Sequence, residues 1–135
     1  MNQKREWPGT GLVVVVVDDD VAVRNSLEFS LKIEGYRVRS HADGEELLAD
    51  TDLASCDCLI VDQKLSSTSG LDLIGVLRKR RIATPAILIT SHPSPALRER
   101  ATRAGVPIVE KPLLGNALPE MIRAVVHGRD REPPE

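Results

Sequence analysis

Residues 12–17 read Leu-Val-Val-Val-Val-Val, and Asp18, Asp19 and Asp20 follow without a break. An unbroken run of β-branched residues fits a strand buried on both faces, as in parallel sheets covered by helices on both sides. Three like charges at the end of such a strand need a reason. Clustered carboxylates repel, and some bind protons unless a cation neutralises them.

The rest of the chain alternates short apolar runs with helical patterns. Ala22–Glu34 is predicted helical, with Val23, Leu27 and Leu31 in one row, Phe29 and Ile33 extending the face, and Gly35 as its terminal cap. Tyr36–Ser40 alternates as a short strand. Asp43 with Glu46 fits a capping box opening a helix through Leu48. Cys58–Val61 is a third strand, followed by the polar loop 62–70. Leu71–Arg80 is helical with Leu71, Ile74 and Leu77 inward, and Ala86–Ile89 is a fourth strand. Ser94 and Pro95 read as the N-cap and first residue of a helix carrying Leu97, Ala101 and Ala104 inward, which Gly105 ends. Val106–Val109 is a fifth strand, placed at an edge by Pro107. Leu114–Val126 is the last helix, with Leu118, Met121, Ile122 and Val125 on one face.

Five strands alternating with five helices predict an α/β fold with a parallel sheet. The organisation expected is one domain over residues 12–127, between a polar N-terminal extension (1–11) and a polar C-terminal tail (128–135). The aromatic fraction is 2%, so an aliphatic core must come from the 41% of apolar residues. The net charge of −2 gives no support to a nucleic-acid or anionic-membrane partner. The N-terminus lacks a signal peptide's apolar segment and no run is long enough to span a bilayer. Cys56 and Cys58 are read as buried thiols of one strand face in a reduced, cytoplasmic protein.

In such sheets ligands bind beyond the carboxyl ends of the strands. Asp18, Asp19 and Asp20 end the first strand, Asp62 the third, Thr90 and Ser91 the fourth, and Lys111 follows the fifth. Neighbouring strands would gather these into one crevice. Mg²⁺ is the natural partner, since it uses one or two carboxylates, waters and a phosphate oxygen. An aspartate nucleophile, a metal and a lysine suit phosphoryl transfer to a carboxylate. Taken singly these residues have plainer roles. Asp20 is best read as a helix N-cap, and Asp62 or Thr90 alone would be loop and strand-end residues.

The segments "VVVVDDDVAVRNSL", "CLIVDQKLSSTSGLDLI", "AILITS" and "VEKP" together resemble the receiver domain of bacterial response regulators, the single-domain chemotaxis regulator being the best-known form. The resemblance runs from about Leu12 to Val126 and implies a doubly wound, flavodoxin-like sheet of strand order 2-1-3-4-5. It implies Asp62 as phospho-acceptor, Asp18 and Asp19 with Asp62 as Mg²⁺ ligands, and the backbone carbonyl of Lys64 as a further ligand. Thr90 then takes the place of the switch hydroxyl and Lys111 that of the phosphoryl-binding lysine, with a cis Lys111–Pro112 bond. Two positions depart from the pattern. Ser66 stands where a proline is common, and Ile108 is the nearest match to the strand-five aromatic that couples to the threonine. Lys64 and His92 flank the site and are candidates for tuning the lifetime of the phosphorylated state.

The implied function is that of a stand-alone response regulator, supplied by a sensor histidine kinase or histidine phosphotransfer protein and acting on a further protein or by onward transfer. A homodimer through the last strands and helices is a further expectation. The alternative is a pseudo-receiver, an interaction module never phosphorylated. A flavin-dependent electron-transfer protein of the same topology fits poorly, because "DDDVAVR" would repel a phosphate and aromatics are scarce. The basic runs Arg78–Arg81 and 98–103 read as solvated helix faces or, jointly, as a partner surface, rather than as a DNA contact.

Overall fold

The computed structural model describes residues 11–113 and 115–130. Strands β1 (Val13–Val17), β2 (Arg37–His41), β3 (Cys58–Asp62), β4 (Ala86–Thr90) and β5 (Ile108–Glu110) form one sheet in the order β2-β1-β3-β4-β5. Every pairing is parallel. Helices α1 (Val21–Ile33), α2 (Gly44–Leu48), α3 (Gly70–Lys79), α4 (Pro95–Ala104) and α5 (Ala117–Asp130) connect or follow the strands. The doubly wound architecture expected from the sequence is present.

The valine run is explained by the pleat. Alternate side chains of a strand point to opposite faces. Val14 and Val16 join one apolar layer with Leu27 and Leu31 of α1 and Leu118 and Ile122 of α5. Val15 and Val17 join the other with Leu47 of α2, Leu77 of α3 and Ala101 of α4. Val14–Val17 are wholly inaccessible. Each such valine contributes about 1.5–3 kcal/mol relative to exposure.

The helix starts obey their local chemistry. Asp20 caps α1 by accepting from the Ala22 and Val23 N–H groups. Asp43 accepts from Glu46 N–H, and the Glu46 carboxylate reaches back to Ala42 N–H. Ser69 and Ser94 cap α3 and α4 in the same way, with Pro95 at the first position of α4.

Several sequence expectations need correction. Phe29 and Ile33 are not inward; they are 69% and 68% exposed. Two residues advance a helix by about 200°, so neither can share the Leu27–Leu31 face. Ala104 is exposed rather than inward. The fifth strand is Ile108–Glu110, not Val106–Val109. Val106 N–H still serves α4, donating to Ala101 O, and Pro107 has no N–H to give. Cys56 lies outside β3 and packs in the opposite layer from Cys58. Both thiols are free and buried. The last helix begins at Ala117, after Gly115 with φ +68°, and runs through Asp130, past the expected boundary. Leu114, residues 1–10 and residues 131–135, on which parts of the extension, last-helix and tail expectations fall, lie outside the described residues.

The exposed outer face of α1 gives a clear contrast. Leu31→Ala should cost about 2–5 kcal/mol, since it empties a buried site. Phe29→Ser, at a solvent-facing position, should stay within about 0.5 kcal/mol of wild type. Urea unfolding of both variants measures this; equal losses would contradict the placement of Phe29.

Candidate functional site

The strand order reverses between β1 and β3, since the chain leaves β1 for the β2 edge and returns on β1's other side. Crevices form at such switch points. The register aligns Val17 of β1 with Val61 of β3, so Asp18 and Asp62 emerge side by side. On the far side Asp62 pairs with Ile89, the residue before Thr90. Lys111 is delivered to the same spot because its N–H donates to Thr90 O at 2.8 Å. The Lys111–Pro112 bond is cis, as the resemblance implied.

Lys111 Nζ lies 3.3 Å from Asp62 Oδ2 and 3.6 Å from Asp18 Oδ2. Asp18 and Asp62 are buried, whereas Asp19 is exposed. Burial first, and then the Asp18 charge, push the Asp62 carboxyl up to about 6 from an ordinary 3.8, against the opposing pull of Lys111. Among the described residues, Asp18 Oδ2 is buried with no hydrogen-bond donor. Such an atom calls for a cation.

The donor set suits one. Asp18, Asp19 and Asp62 each offer an oxygen within 4.8 Å of the other two. Hard carboxylate oxygens without sulfur or imidazole favour Mg²⁺ over the softer transition metals.

The cleft outside these atoms has a volume of about 280 Å³ and is lined by Asp19, Asp62, Lys64, Thr90, Ser91 and Lys111, among others. Thus Asp18, Asp19, Asp62, Thr90 and Lys111 are brought together. Lys64 lies on the cleft, its N–H 3.4 Å from Asp62 Oδ1. His92 is exposed, has φ +48°, and does not line the cleft. Ile108 is half-buried opposite Leu88 and adds no hydroxyl or ring to the site.

Other positioning groups gave no signal in the sequence. Arg24 Nη1 donates to Asp18 O at 2.7 Å, and Asp18 N–H donates to His41 O at 3.2 Å. Gln63 clamps the following loop: its side-chain Oε1 accepts from Leu71 N–H, and its carbonyl accepts from Gly70 N–H. A Cβ at Gly70 would fall 2.4 Å from the Asp62 carbonyl, so α3 starts against the backbone of the nucleophile candidate. These links depend on contacts between elements far apart in sequence or on a loop's closed shape, which no local pattern encodes.

Known proteins resemble this chain in sequence and fold. The chain is 34% identical over 116 residues to the C4-dicarboxylate transport transcriptional regulatory protein DctR of Rhodobacter capsulatus, covering 84% of this chain and 59% of that protein. It is 34% identical over 120 residues to the transcriptional regulatory protein FixJ of Rhizobium meliloti, covering 87% and 59%. The chain therefore spans under two thirds of the length of these relatives. A CheY-like receiver domain from Methanospirillum hungatei superposes with a TM-score of 0.81 at 26% identity, over 92% of this chain and all of that one. The response regulator TrrA of Thermotoga maritima, solved with Mg²⁺ and beryllofluoride, superposes with a TM-score of 0.73 at 27% identity, over 84% and 98%. Residues 14–123 match the response regulator receiver domain as a family, and the chain belongs to that family.

Proposed function

We propose that the protein is a phosphorylation switch that accepts a phosphoryl group on Asp62 with Mg²⁺ and passes the signal through protein contacts or onward transfer. The observation that carries this reading is the buried Asp18–Asp62 pair at the switch point, bridged by Lys111 and left with a donorless carboxylate oxygen. Asp18, Asp19, Asp62 and the Lys64 carbonyl would hold the ion. When bound, Mg²⁺ supplies positive charge to the phosphoryl oxygens and lowers the cost of bringing an anion to three carboxylates.

The chain's own groups do the rest. An Oδ of ionised Asp62 bonds to phosphorus while the donor's P–N bond breaks, and the leaving imidazole takes up a proton. Lys111 Nζ would pair with a phosphoryl oxygen as negative charge builds there. Thr90 lines the cleft on the strand beside Asp62, and its hydroxyl would turn to donate to the same group. Position and fixed charge are the protein's contribution, and the donor carries the energy. A histidine kinase or phosphotransfer protein fits as donor. The rim next to the cleft offers it apolar surface: Val21, 56% exposed at the start of α1, with Phe29 further along. A groove of about 380 Å³, lined by Val23 and Leu27 among others, runs between α1 and Pro112–Leu113.

A pseudo-receiver is the less favoured reading, because it leaves the buried acids and Lys111 without a task. Ile108 in place of an aromatic points to a switch relayed by backbone and helix shifts around Thr90 and α4, rather than by a ring changing rotamer.

Incubation with acetyl phosphate and Mg²⁺ should add the mass of one phosphoryl group, lost with EDTA or in Asp62→Asn. Absence of an adduct, of phosphate release and of beryllofluoride binding together would establish the pseudo-receiver instead.

A second expectation concerns pH in the metal-free protein. The folded Asp62 pKa is raised, so the native state holds that proton more tightly than the unfolded chain. The stability cost is therefore present above about 6 and relieved as pH falls towards the unfolded value of about 4. Urea melts from pH 7.5 to 4.5 should show a gain of about 1–2 kcal/mol from this group, and Asp62→Asn should flatten it.

Lys64 and His92 address the lifetime of the phosphorylated state. Lys64→Asn should change the dephosphorylation rate at least about threefold, because its side chain lies on the cleft where an attacking water must pass. His92→Glu should change it less. Following phosphate loss by intact mass measures both; an unchanged rate in Lys64→Asn removes the role.

A further inference from the structure

A groove of about 700 Å³ lies between α3 and α4, remote from the acidic cleft. Its floor is apolar: Leu71, Ile74 and Val76 from α3 and Ala104 from α4. Val76 is 39% exposed, one of four large apolar residues left in solvent among the described residues. At Gly75 a side chain would meet nothing within 4 Å, so the backbone lies open along the groove.

The rim has the opposite chemistry from the chain as a whole. Arg78, Lys79, Arg100 and Arg103 line the groove against one acid, Asp72, in a chain whose net charge is −2. The two basic runs of the sequence thus converge on one feature. Not every cation is available. Arg78 is turned inward, donating from Nη1 to Ile82 O and Thr84 O at 2.9 Å. Arg100 spans the groove to Asp72 at 3.0 Å, an ion pair with both partners half in solvent. Lys79 and Arg103 stand exposed, and Arg103 has only the neighbouring Glu99 at 3.6 Å.

We propose that this groove docks an acidic amphipathic helix of a protein partner. An apolar strip between two cationic walls matches a helix with leucine-like residues on one face and carboxylates on its flanks. Its acids would pair with Lys79 and Arg103 and compete with Asp72 for Arg100, while its apolar face covers Val76 and the open backbone at Gly75. Duplex nucleic acid is the weaker fit. It would leave the apolar floor unused, and Arg80 of the basic run is engaged with Leu48 O at 3.1 Å.

The test uses the whole unphosphorylated chain, so it does not depend on chemistry at Asp62. The probe is a fluorescein-labelled 18-residue peptide with leucines at helical i, i+3, i+4, i+7 spacing and glutamates on the flanks. A copy with lysines for glutamates and a labelled 20-base-pair duplex serve as controls. Saturable anisotropy change is expected with the acidic peptide alone. Lys79→Glu and Arg103→Glu should each weaken it by about fivefold or more, and Val76→Glu should do likewise. These are surface substitutions, and urea midpoints near wild type confirm folding. Absence of saturable binding by the acidic peptide, equal binding of the lysine copy, indifference to all three substitutions, or preference for the duplex would each overturn the proposal.

Discussion

Two carboxylates held side by side where water is scarce set the terms for this protein. Asp18 and Asp62 emerge from neighbouring parallel strands whose register leaves them no room to separate. Lys111 makes the pair tolerable, and it arrives only because β5 pairs with β4 and hands its next residue's N–H to Thr90. The valine run, the two apolar layers and the strand order are therefore prerequisites for the site. Without the sheet's rigidity the acids would move apart and the lysine would swing into solvent. A cluster of like charges is unstable by itself, and a cation beside it relieves the repulsion.

Much of this was legible because it is written locally. A run of five valines can hardly be anything but an interior strand. Asp43 with Glu46, and Ser94 with Pro95, announce helix starts through side chains that reach only three residues away. Acids at the ends of separate apolar runs imply a shared crevice once the sheet is parallel. The failures have a common cause. Phe29 and Ile33 are as apolar as core residues, but their angular position on α1 opposes Leu27 and Leu31. Val106 is β-branched like a strand residue, but its N–H finishes α4. Arg24, Gln63 and Gly70 matter through contacts with Asp18 O, Leu71 N and Asp62 O, partners that only the folded chain reveals.

Charge on the surface is organised in two opposite ways. At the strand ends acids crowd together and a single lysine balances them. Between α3 and α4 the signs are reversed, with arginines and a lysine around an apolar strip and one aspartate. Both helices begin in loops that leave the acidic cleft, α3 after Asp62 and α4 after Thr90. The geometry joins an acidic end and a basic flank through loops only a few residues long.

The loop from Gln63 to Gly70 is closed on itself: Gly70 N–H binds Gln63 O, and Lys64 pairs with Ser69. Gly70 in turn sits so near the Asp62 carbonyl that nothing larger fits. A hoop pinned at its neck can be rewritten along its rim. Ser66 and Ser67 are exposed there and can change while the Asp62 carboxylate keeps its place. Composition along the rim is thereby uncoupled from position at the neck.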